Sequence, residues 1–303
     1  MKKYIKIVVF IFLLMSQAFD GLSETEGVSS SYPKTKEYRR IISLLPSTTE
    51  ILFALDLGDQ VVGVTKFCKF PPEAQRKTII GGLLDINFEI IYRLQPDLVV
   101  ISTDHQDYKV KFKDMGINVL EVETKSVSGI IESIKIIGSQ LNREKEAADL
   151  TRAIQKKIDD IQAKTKDLPK PRVLITFLRP VGEGEIRDVY IAGNLTYFND
   201  LIRIVGAENA YQGTTLITSP VVSAEGILRM DPDIIIEVMS TIHDSNLKIE
   251  DAMKDWDILS EIRAYKNRRI YILTNPYMDI PGPRLIQALD DIARTIHPQI
   301  NWN

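Results

Sequence analysis

The sequence has few of the residues on which most catalytic and metal sites depend. Its 303 residues include one cysteine, Cys68, three histidines and two tryptophans. A single cysteine excludes an intrachain disulfide. There is no phosphate-binding loop, Gly-x-Gly-x-x-Gly segment or Gly-x-Ser-x-Gly elbow, and no His or Cys pair has the spacing of a preformed transition-metal site. We therefore expect neither an enzyme nor a resident metal or cofactor.

The chain also lacks a strong charge of either sign. Its formal net charge is −3, with 44% hydrophobic and 26% charged residues. These are the proportions of a globular protein with a sizeable core. The balance gives no electrostatic reason to expect a nucleic acid or an anionic membrane as partner.

The first 18 residues have the pattern of a signal peptide. Two lysines precede the apolar run 7–15, and the small residues Ser16 and Ala18 suit a signal-peptidase site. The run is shorter than the ~20 residues of a spanning helix, which favours cleavable export over a membrane anchor. The leader has no cysteine for lipid attachment. We expect a soluble periplasmic protein in which residues 19–38 are a disordered tether.

One structural unit occurs twice, as Asn87–Ser102 and again as Ser223–Val238. Each copy predicts a capped helix, a Pro-Asp turn and a buried strand. The matching pairs, each 136 residues apart, are Asn87 and Ser223, Glu89 and Glu225, Pro96 and Pro232, and Asp97 and Asp233.

The repeat predicts an α/β protein of two Rossmann-like lobes with mainly parallel sheets. We place the lobes at 39–142 and 168–303. Between them, residues 143–167 have apolar positions at helical spacing and contain neither Gly nor Pro, which predicts one long connecting helix. Near the start, Ser47-Thr48-Thr49-Glu50 predicts a capping box for a helix that runs to Leu57.

Two histidines, His105 and His243, follow the strands of the two repeats. Loops at the carboxyl ends of parallel strands are where α/β sheets bind ligands. Either histidine is therefore a candidate ligand contact, with a merely exposed loop histidine as the alternative. His297, in the tail, is expected to be solvated. Cys68 is expected to be buried as a small hydrophobe, and a ligand contact is the alternative.

Several segments together resemble the substrate-binding proteins of ABC importers for vitamin B12 and ferric siderophores. The resemblance runs from about Arg39 to Pro298 and is greatest to the cobalamin-binding branch. It rests on these segments in order: 43–50 (SLLPSTTE), 62–64 (VGV), 67–74 (FCKFPPEA), Gly81-Gly82, the two repeats, the long helix, and 281–284 (PGPR).

The resemblance implies two lobes joined by one rigid helix, with the ligand in a cleft between them. It also implies a monomer that delivers its ligand to an ABC permease. Glu89 and Glu225 would dock on the permease from the outer faces of the lobes, on the far side from the cleft. The alternative is that both only interact favourably with the dipoles of their helices.

Loops after strands and aromatic side chains supply the candidate ligand contacts. Only two tryptophans, Trp256 and Trp302, are present, so a cobalamin, a ferric siderophore and haem all stay open. A zinc or manganese receptor and a Rossmann-type enzyme are weaker alternatives. Tyr197 is a further aromatic candidate, and each aromatic could equally pack in the core. The candidate contacts are Pro46, Ser47, Thr48, Phe67, Ser102, His105, Phe177, Arg179, Tyr190, Tyr277 and Arg284.

Overall fold

The computed structural model describes residues 37–83, 85–213, 218–240, 242 and 247–302. These residues form two α/β lobes with one long helix between them. The predicted signal peptide, the tether up to residue 36 and His243 lie outside the described residues. Among the helices described, none combines the length and the hydropathy needed to span a membrane.

The first lobe contains a five-stranded, entirely parallel sheet in the order β3-β2-β1-β4-β5. The chain order reverses between β1 and β4, and such a reversal opens a crevice at the carboxyl ends of the strands. The strands are β1 (Ile41–Ser43), β2 (Val61–Val64), β3 (Thr78–Ile79), β4 (Leu98–Ser102) and β5 (Asn118–Val122). The helices are α1 (Pro46–Ala54), α2 (Phe88–Leu94), α3 (Gln106–Asp114) and α4 (Val127–Gln140), with 3-10 turns at Gly58–Gln60 and Pro72–Arg76.

The long helix α5 (Glu144–Thr165) lies where the apolar periodicity predicts it. Its buried face includes Ala147, Ile154 and Ile161, which join one hydrophobic core with residues of both lobes. The helix packs against α4 on one side and against two helices of the second lobe on the other. The buried face of α5 therefore belongs to a hydrophobic core that both lobes share.

The second lobe contains a mixed sheet in the order β11-β10-β6-β7-β9, and β8 also pairs with β6. The pairings β6–β7 and β7–β9 are antiparallel, so the prediction of mainly parallel strands holds more fully in the first lobe. The strands are β6 (Arg172–Leu178), β7 (Val189–Ile191), β8 (Glu208–Asn209), β9 (Val221–Val222), β10 (Ile234–Val238) and β11 (Ile270–Leu273). The helices are α6 (Tyr197–Ile204), α7 (Ala224–Met230), α8 (Ile249–Asp255), α9 (Arg263–Lys266) and α10 (Leu285–Ile296), with a 3-10 turn at Trp256–Leu259.

The two copies of the repeat fold alike. The side chain of Asn87 accepts a hydrogen bond from the Ile90 amide at 3.0 Å, and Ser223 accepts one from the Gly226 amide at 3.3 Å. Both helices therefore have the predicted N-cap. The aspartates of the two Pro-Asp turns also act alike, because each accepts a backbone amide at the start of the lobe's central strand.

An arginine at an equivalent position in each lobe shows which way the repeat helix runs. Arg40, just before β1, donates to the Leu94 carbonyl at the end of α2, and Arg172, at the start of β6, donates to the Met230 carbonyl at the end of α7. Each helix thus ends at the amino edge of its sheet and begins toward the carboxyl edge. The exposed Glu89 and Glu225, in the first turns, therefore lie toward the carboxyl edges of the sheets, whereas the sequence-based prediction puts them on the far side from the cleft.

Two local predictions are also wrong. Helix α1 has Leu45 as its N-cap residue with no side-chain cap, so Ser47 and Glu50 form no capping box, and the helix ends at Ala54 rather than Leu57. His297 is buried rather than solvated. Its Nε2 lies 2.9 Å from the Val205 carbonyl oxygen, and burial lowers the pKa of its imidazole.

Candidate functional site

The two lobes meet at an ion pair between Glu50 of α1 and Arg284, which precedes α10. Arg284 Nε donates to Glu50 Oε2 at 2.9 Å, and Nη2 donates to Oε1 at 2.6 Å. The side chains are 2% and 12% exposed, for Glu50 and Arg284 respectively. This two-point geometry is the strongest that a guanidinium and a carboxylate can form. It holds α1 of the first lobe against the segment of the second lobe that precedes α10.

An aromatic ring from each lobe lies beside the Arg284 guanidinium. Its central carbon is 4.1 Å from the ring centroid of Phe70 and 5.5 Å from that of Tyr277. Phe70 remains exposed. Arg284 Nη1 has no protein acceptor among the described residues, so it keeps donors available. We call Ser47, Glu50, Phe70, Gly282 and Arg284 the interlobe junction.

The two lobes also come close at Gly282 and at the start of α4. A Cβ atom built on Gly282 would lie 3.5 Å from Ser47 Cα, so the Gly282 backbone of the second lobe passes close to α1 of the first lobe. Nearby, the amide of Val127 at the start of α4 donates to Asp200 Oδ2 of α6 at 2.9 Å. The carboxylate at that helix N-terminus also suits the helix dipole. The lobes are thus in direct contact both at the Glu50–Arg284 pair and at the Val127–Asp200 hydrogen bond.

Burial governs the electrostatics of the junction. It raises the pKa of the Glu50 carboxyl above its ordinary value, although the bonds from Arg284 act in the opposite direction. Burial and the 2.6 Å hydrogen bond to Asp291 raise the pKa of Tyr277 to about 12. The phenol of Tyr277 is therefore neutral at physiological pH, and its proton is donated within its own lobe.

Three predicted contacts in the first lobe are buried. Ser47 packs at the junction, and the Thr48 hydroxyl bonds Ser43 Oγ at 2.7 Å and the Leu45 carbonyl at 3.0 Å. Ser102 Oγ accepts the Asp104 amide at 3.3 Å at the end of β4. The hydroxyls of Thr48 and Ser102 thus bond within the first lobe, whereas Pro46, at the start of α1, stays partly exposed.

Phe67 and His105 lie at the same edge of the first sheet. Phe67 is exposed in the loop after β2, with Lys66 Nζ 5.4 Å from its ring centroid. His105 is the N-cap residue of α3, and its ring lies 5.7 Å from that of Tyr108. Within the described part of the chain its Nδ1 is buried without a hydrogen-bond partner. Both residues therefore stay candidate contacts.

The structure gives Arg179 a different role from the predicted ligand contact. Its side chain is 1% exposed and forms ion pairs with Glu237 at 2.7 Å and Asp255 at 2.6 Å. Asp255 also accepts the amides of Gly182 and Gly184 at 2.7 Å. The arginine thus fixes the glycine-rich loop after β6 inside the second lobe, and the prediction for Arg179 is corrected.

The aromatic candidates of the second lobe divide into core and surface. Tyr197 is buried and donates to the Met278 carbonyl at 3.1 Å, so it is a core residue. Phe177 is half-buried and stacks on Phe198 with ring centroids 5.8 Å apart. Tyr190 of β7 is exposed. Of the tryptophans, Trp256 is fully buried.

Sequence reasoning missed the two first-lobe residues closest to Arg284. Phe70 belongs to the same loop as Phe67, and the rule that loops after strands face the cleft could have found it. The sequence pattern around Glu50 predicts a helix cap, and no local pattern links this residue to a partner 234 residues away.

Cys68, in the same loop as Phe70, is buried, as expected. Its sulfur accepts a hydrogen bond from Thr49 Oγ1 at 3.1 Å and lies 3.3 Å from Thr65 Oγ1, and burial raises the pKa of the thiol. Across the described ranges, no group of three or more His, Cys, Asp or Glu side chains is placed to hold a metal ion.

The fold agrees with that of the chain's relatives. A family model described as periplasmic binding protein matches residues 41–277. The chain is 32% identical to YvrC, an uncharacterized ABC transporter substrate-binding lipoprotein of Bacillus subtilis, over 87% of this chain and 81% of that protein. The protein therefore belongs to the periplasmic binding proteins, the substrate-binding components of ABC importers.

Two further relatives carry more specific descriptions. A vitamin B12-binding protein of Vibrio vulnificus is 25% identical over 84% of this chain and 88% of its own length. The crystal structure of a possible iron-binding periplasmic solute-binding protein of Staphylococcus epidermidis has a TM-score of 0.72 and 29% identity. It covers 86% of this chain and 99% of that one. The predicted two-lobe α/β fold is confirmed.

Proposed function

We propose that this protein captures a cobalamin in the cleft between its lobes and delivers it to an ABC permease. The observation that carries the proposal is the interlobe junction, where the exposed Phe70 ring lies beside the partly unsatisfied guanidinium of Arg284. A corrin ring presents apolar surface, which an aromatic face can cover. Its amide side chains present carbonyl acceptors, to which Arg284 Nη1 can donate.

The relatives support the same ligand. A vitamin B12-binding protein aligns with most of this chain, at 25% identity. A ferric siderophore or haem is the second candidate, and the observation in its favour is the 29% identity to a possible iron-binding protein of the same fold. The aromatic and guanidinium groups at the junction suit either kind of chelate, so direct comparison of the ligands is required.

In this proposal Glu89 and Glu225 contact the permease when the ligand is delivered. Both are exposed in the first turns of equivalent helices, one per lobe, and each is paired with an arginine four residues on, at 2.5 Å. Exposed charges at fixed positions favour steering and register with a partner. In this proposal the protein is an exported monomer, freed by cleavage of residues 1–18, and both glutamates meet the permease at the open side of the cleft.

Native mass spectrometry tests the ligand assignment. The exported protein is mixed with equal amounts of cyanocobalamin, haemin, a ferric hydroxamate and a ferric catecholate. We expect one cyanocobalamin per protein monomer to dominate. Phe70→Ser should reduce that adduct, whereas Tyr92→Ser, which removes an exposed aromatic ring from α2, should not. An adduct with only an iron chelate would reject the cobalamin assignment.

A further inference from the structure

Three exposed apolar side chains lie side by side on the sheet of the second lobe. Leu178 of β6 pairs with Tyr190 of β7, and Tyr190 pairs with Val221 of β9. They are 60%, 37% and 50% exposed, respectively. Directly opposed residues of neighbouring strands share a face of the sheet. We call these three residues the apolar shelf.

Strand alternation shows which face carries the shelf. Val189 and Ile191 of β7 are buried in the outer core of the second lobe, so Tyr190 between them faces the other side. Val222 packs against that outer core as well, which turns Val221 to the same side as Tyr190. The shelf therefore lies on the face of the sheet that packs, farther down, against the core shared with the first lobe.

An irregularity in β6 places Leu178 on the same face of the sheet as Tyr190. The register shifts between Thr176 and Leu178, so that both Phe177 and Leu178 lie opposite Tyr190. Two residues opposite one is the arrangement of a β-bulge, which re-aims side chains at the end of a strand. Phe177 packs against the shared core, and Leu178, one residue further on, is left exposed at the carboxyl edge.

A chain of contacts connects the shelf with the interlobe junction. Phe177, beside Leu178, stacks on Phe198, whose ring centroid is 5.1 Å from that of Tyr197. Tyr197 in turn donates to the Met278 carbonyl, in the loop that leads to Arg284. The shelf and the junction are thus linked through packed side chains of the second lobe, among which Tyr197 and Phe198 are buried.

We propose that the apolar shelf binds one flank of a flat tetrapyrrole macrocycle and sets the ligand class of this protein. The inference rests on the proposed function, since it takes the ligand to lie between the lobes. Three adjacent strands at ~4.8 Å spacing give a surface ~10 Å across, wide enough for the flank of a macrocycle. Methyl and methylene groups of a corrin or a porphyrin lose water on such a surface. The oxygen-rich surface of a hydroxamate or catecholate chelate gains little there.

The shelf also complements the groups across the cleft. Phe67 and Phe70 are exposed in the loop after β2 of the first lobe. Arg284 supplies the hydrogen-bond donors at the junction. A ligand with a broad apolar ring and peripheral carbonyl or carboxylate groups matches this combination of surfaces, and the shared chemistry covers both cobalt corrinoids and haem.

Charge insertion tests the shelf. Leu178→Asp and Val221→Asp are compared with the matched control Ile258→Asp, an equally exposed apolar residue of the same lobe in the 3-10 turn after α8. Dissociation constants are measured for cyanocobalamin, haemin and a ferric hydroxamate. We expect each shelf variant to bind the tetrapyrrole at least tenfold more weakly and the control to change by less than twofold. Thermal melts verify folding, and Leu178→Met should retain affinity.

The possible outcomes distinguish a failure of the shelf proposal from a failure of the cobalamin assignment. Tetrapyrrole affinity that is unchanged in both shelf variants overturns the shelf while leaving a cobalamin receptor intact. A second outcome is a wild type that binds haemin but no cobalamin, with shelf variants that bind haemin more weakly. This result overturns the cobalamin assignment and supports the shelf. A wild type that binds only the ferric hydroxamate, or none of the three probes, overturns both.

Discussion

Glu50 and Arg284 are 234 residues apart in sequence and form a two-point ion pair between the lobes, with N–O distances of 2.9 and 2.6 Å. Glu50 is almost fully buried, and the Arg284 guanidinium stabilises its charged form. The pair also fixes the guanidinium beside Phe70, which orients its remaining donors. One contact therefore contributes both to the association of the lobes and to the proposed ligand site.

Arg284→Met should destabilise the protein by about 3–5 kcal/mol, because it leaves a buried carboxylate without its partner. Urea unfolding of the wild type and the variant measures the difference. Arg93→Met is the matched control, since it breaks an exposed ion pair with Glu89 and should leave the unfolding midpoint unchanged. An Arg284→Met variant as stable as the wild type would contradict the role of the pair.

The loss of stability caused by Arg284→Met should itself depend on pH. Burial raises the pKa of Glu50 in the folded wild type, and loss of Arg284 should raise it further. A group whose pKa is higher in the folded than in the unfolded state contributes stability at low pH that is lost as the pH rises through the folded pKa. The destabilisation caused by Arg284→Met should thus be smaller at pH 5 than at pH 7.5. A larger loss at pH 5 would have the wrong sign.

Variants of Tyr277 test whether its ring or its hydroxyl contributes to ligand binding. Its hydroxyl is committed to Asp291, and its ring lies beside Arg284. Tyr277→Phe should leave cobalamin affinity within about twofold, whereas Tyr277→Ala should weaken it by tenfold or more, because burying an aromatic ring contributes about 1.5–3 kcal/mol. Isothermal titration calorimetry gives both values. Equal losses in the two variants would show that cobalamin affinity depends on the hydroxyl and not on the ring.

Much of the fold follows from local patterns in the sequence. The repeated cap, Pro-Asp turn and apolar strand predict both lobes, because each feature is decided within a few residues. The long helix follows from its periodicity. The mixed second sheet was missed, since short strands such as β7 and β9 carry little pattern of their own.

The candidate site was less predictable, because it depends on contacts between distant residues. Arg179 and Arg284 both follow strands, yet one is buried by Glu237 and Asp255 and the other reaches the first lobe. Local sequence does not distinguish these outcomes. The burial of His297 likewise depends on a carbonyl 92 residues away. In contrast, the exposure of Glu89 and Glu225 follows from their helical positions.

Glu89 and Glu225 should matter for delivery and not for capture. The double variant Glu89→Ala, Glu225→Ala should keep cobalamin affinity and stimulate the ATPase of the reconstituted permease much less than the wild type. That stimulation should also depend less on salt, since exposed charges are screened. Glu261→Ala, which breaks another exposed ion pair, is the control. Normal stimulation by the double variant would reject docking through these residues.

Hydrogen–deuterium exchange with and without cyanocobalamin tests the central claim most directly, because it reports both binding and place. We predict that cobalamin slows exchange in 65–70, 177–191 and 277–285, which contain the junction loops and two strands of the apolar shelf. The outer segment 256–266 should exchange at the same rate in both samples. Protection confined to that outer segment, or no protection anywhere at saturating cobalamin, would contradict the binding of a cobalamin between the lobes.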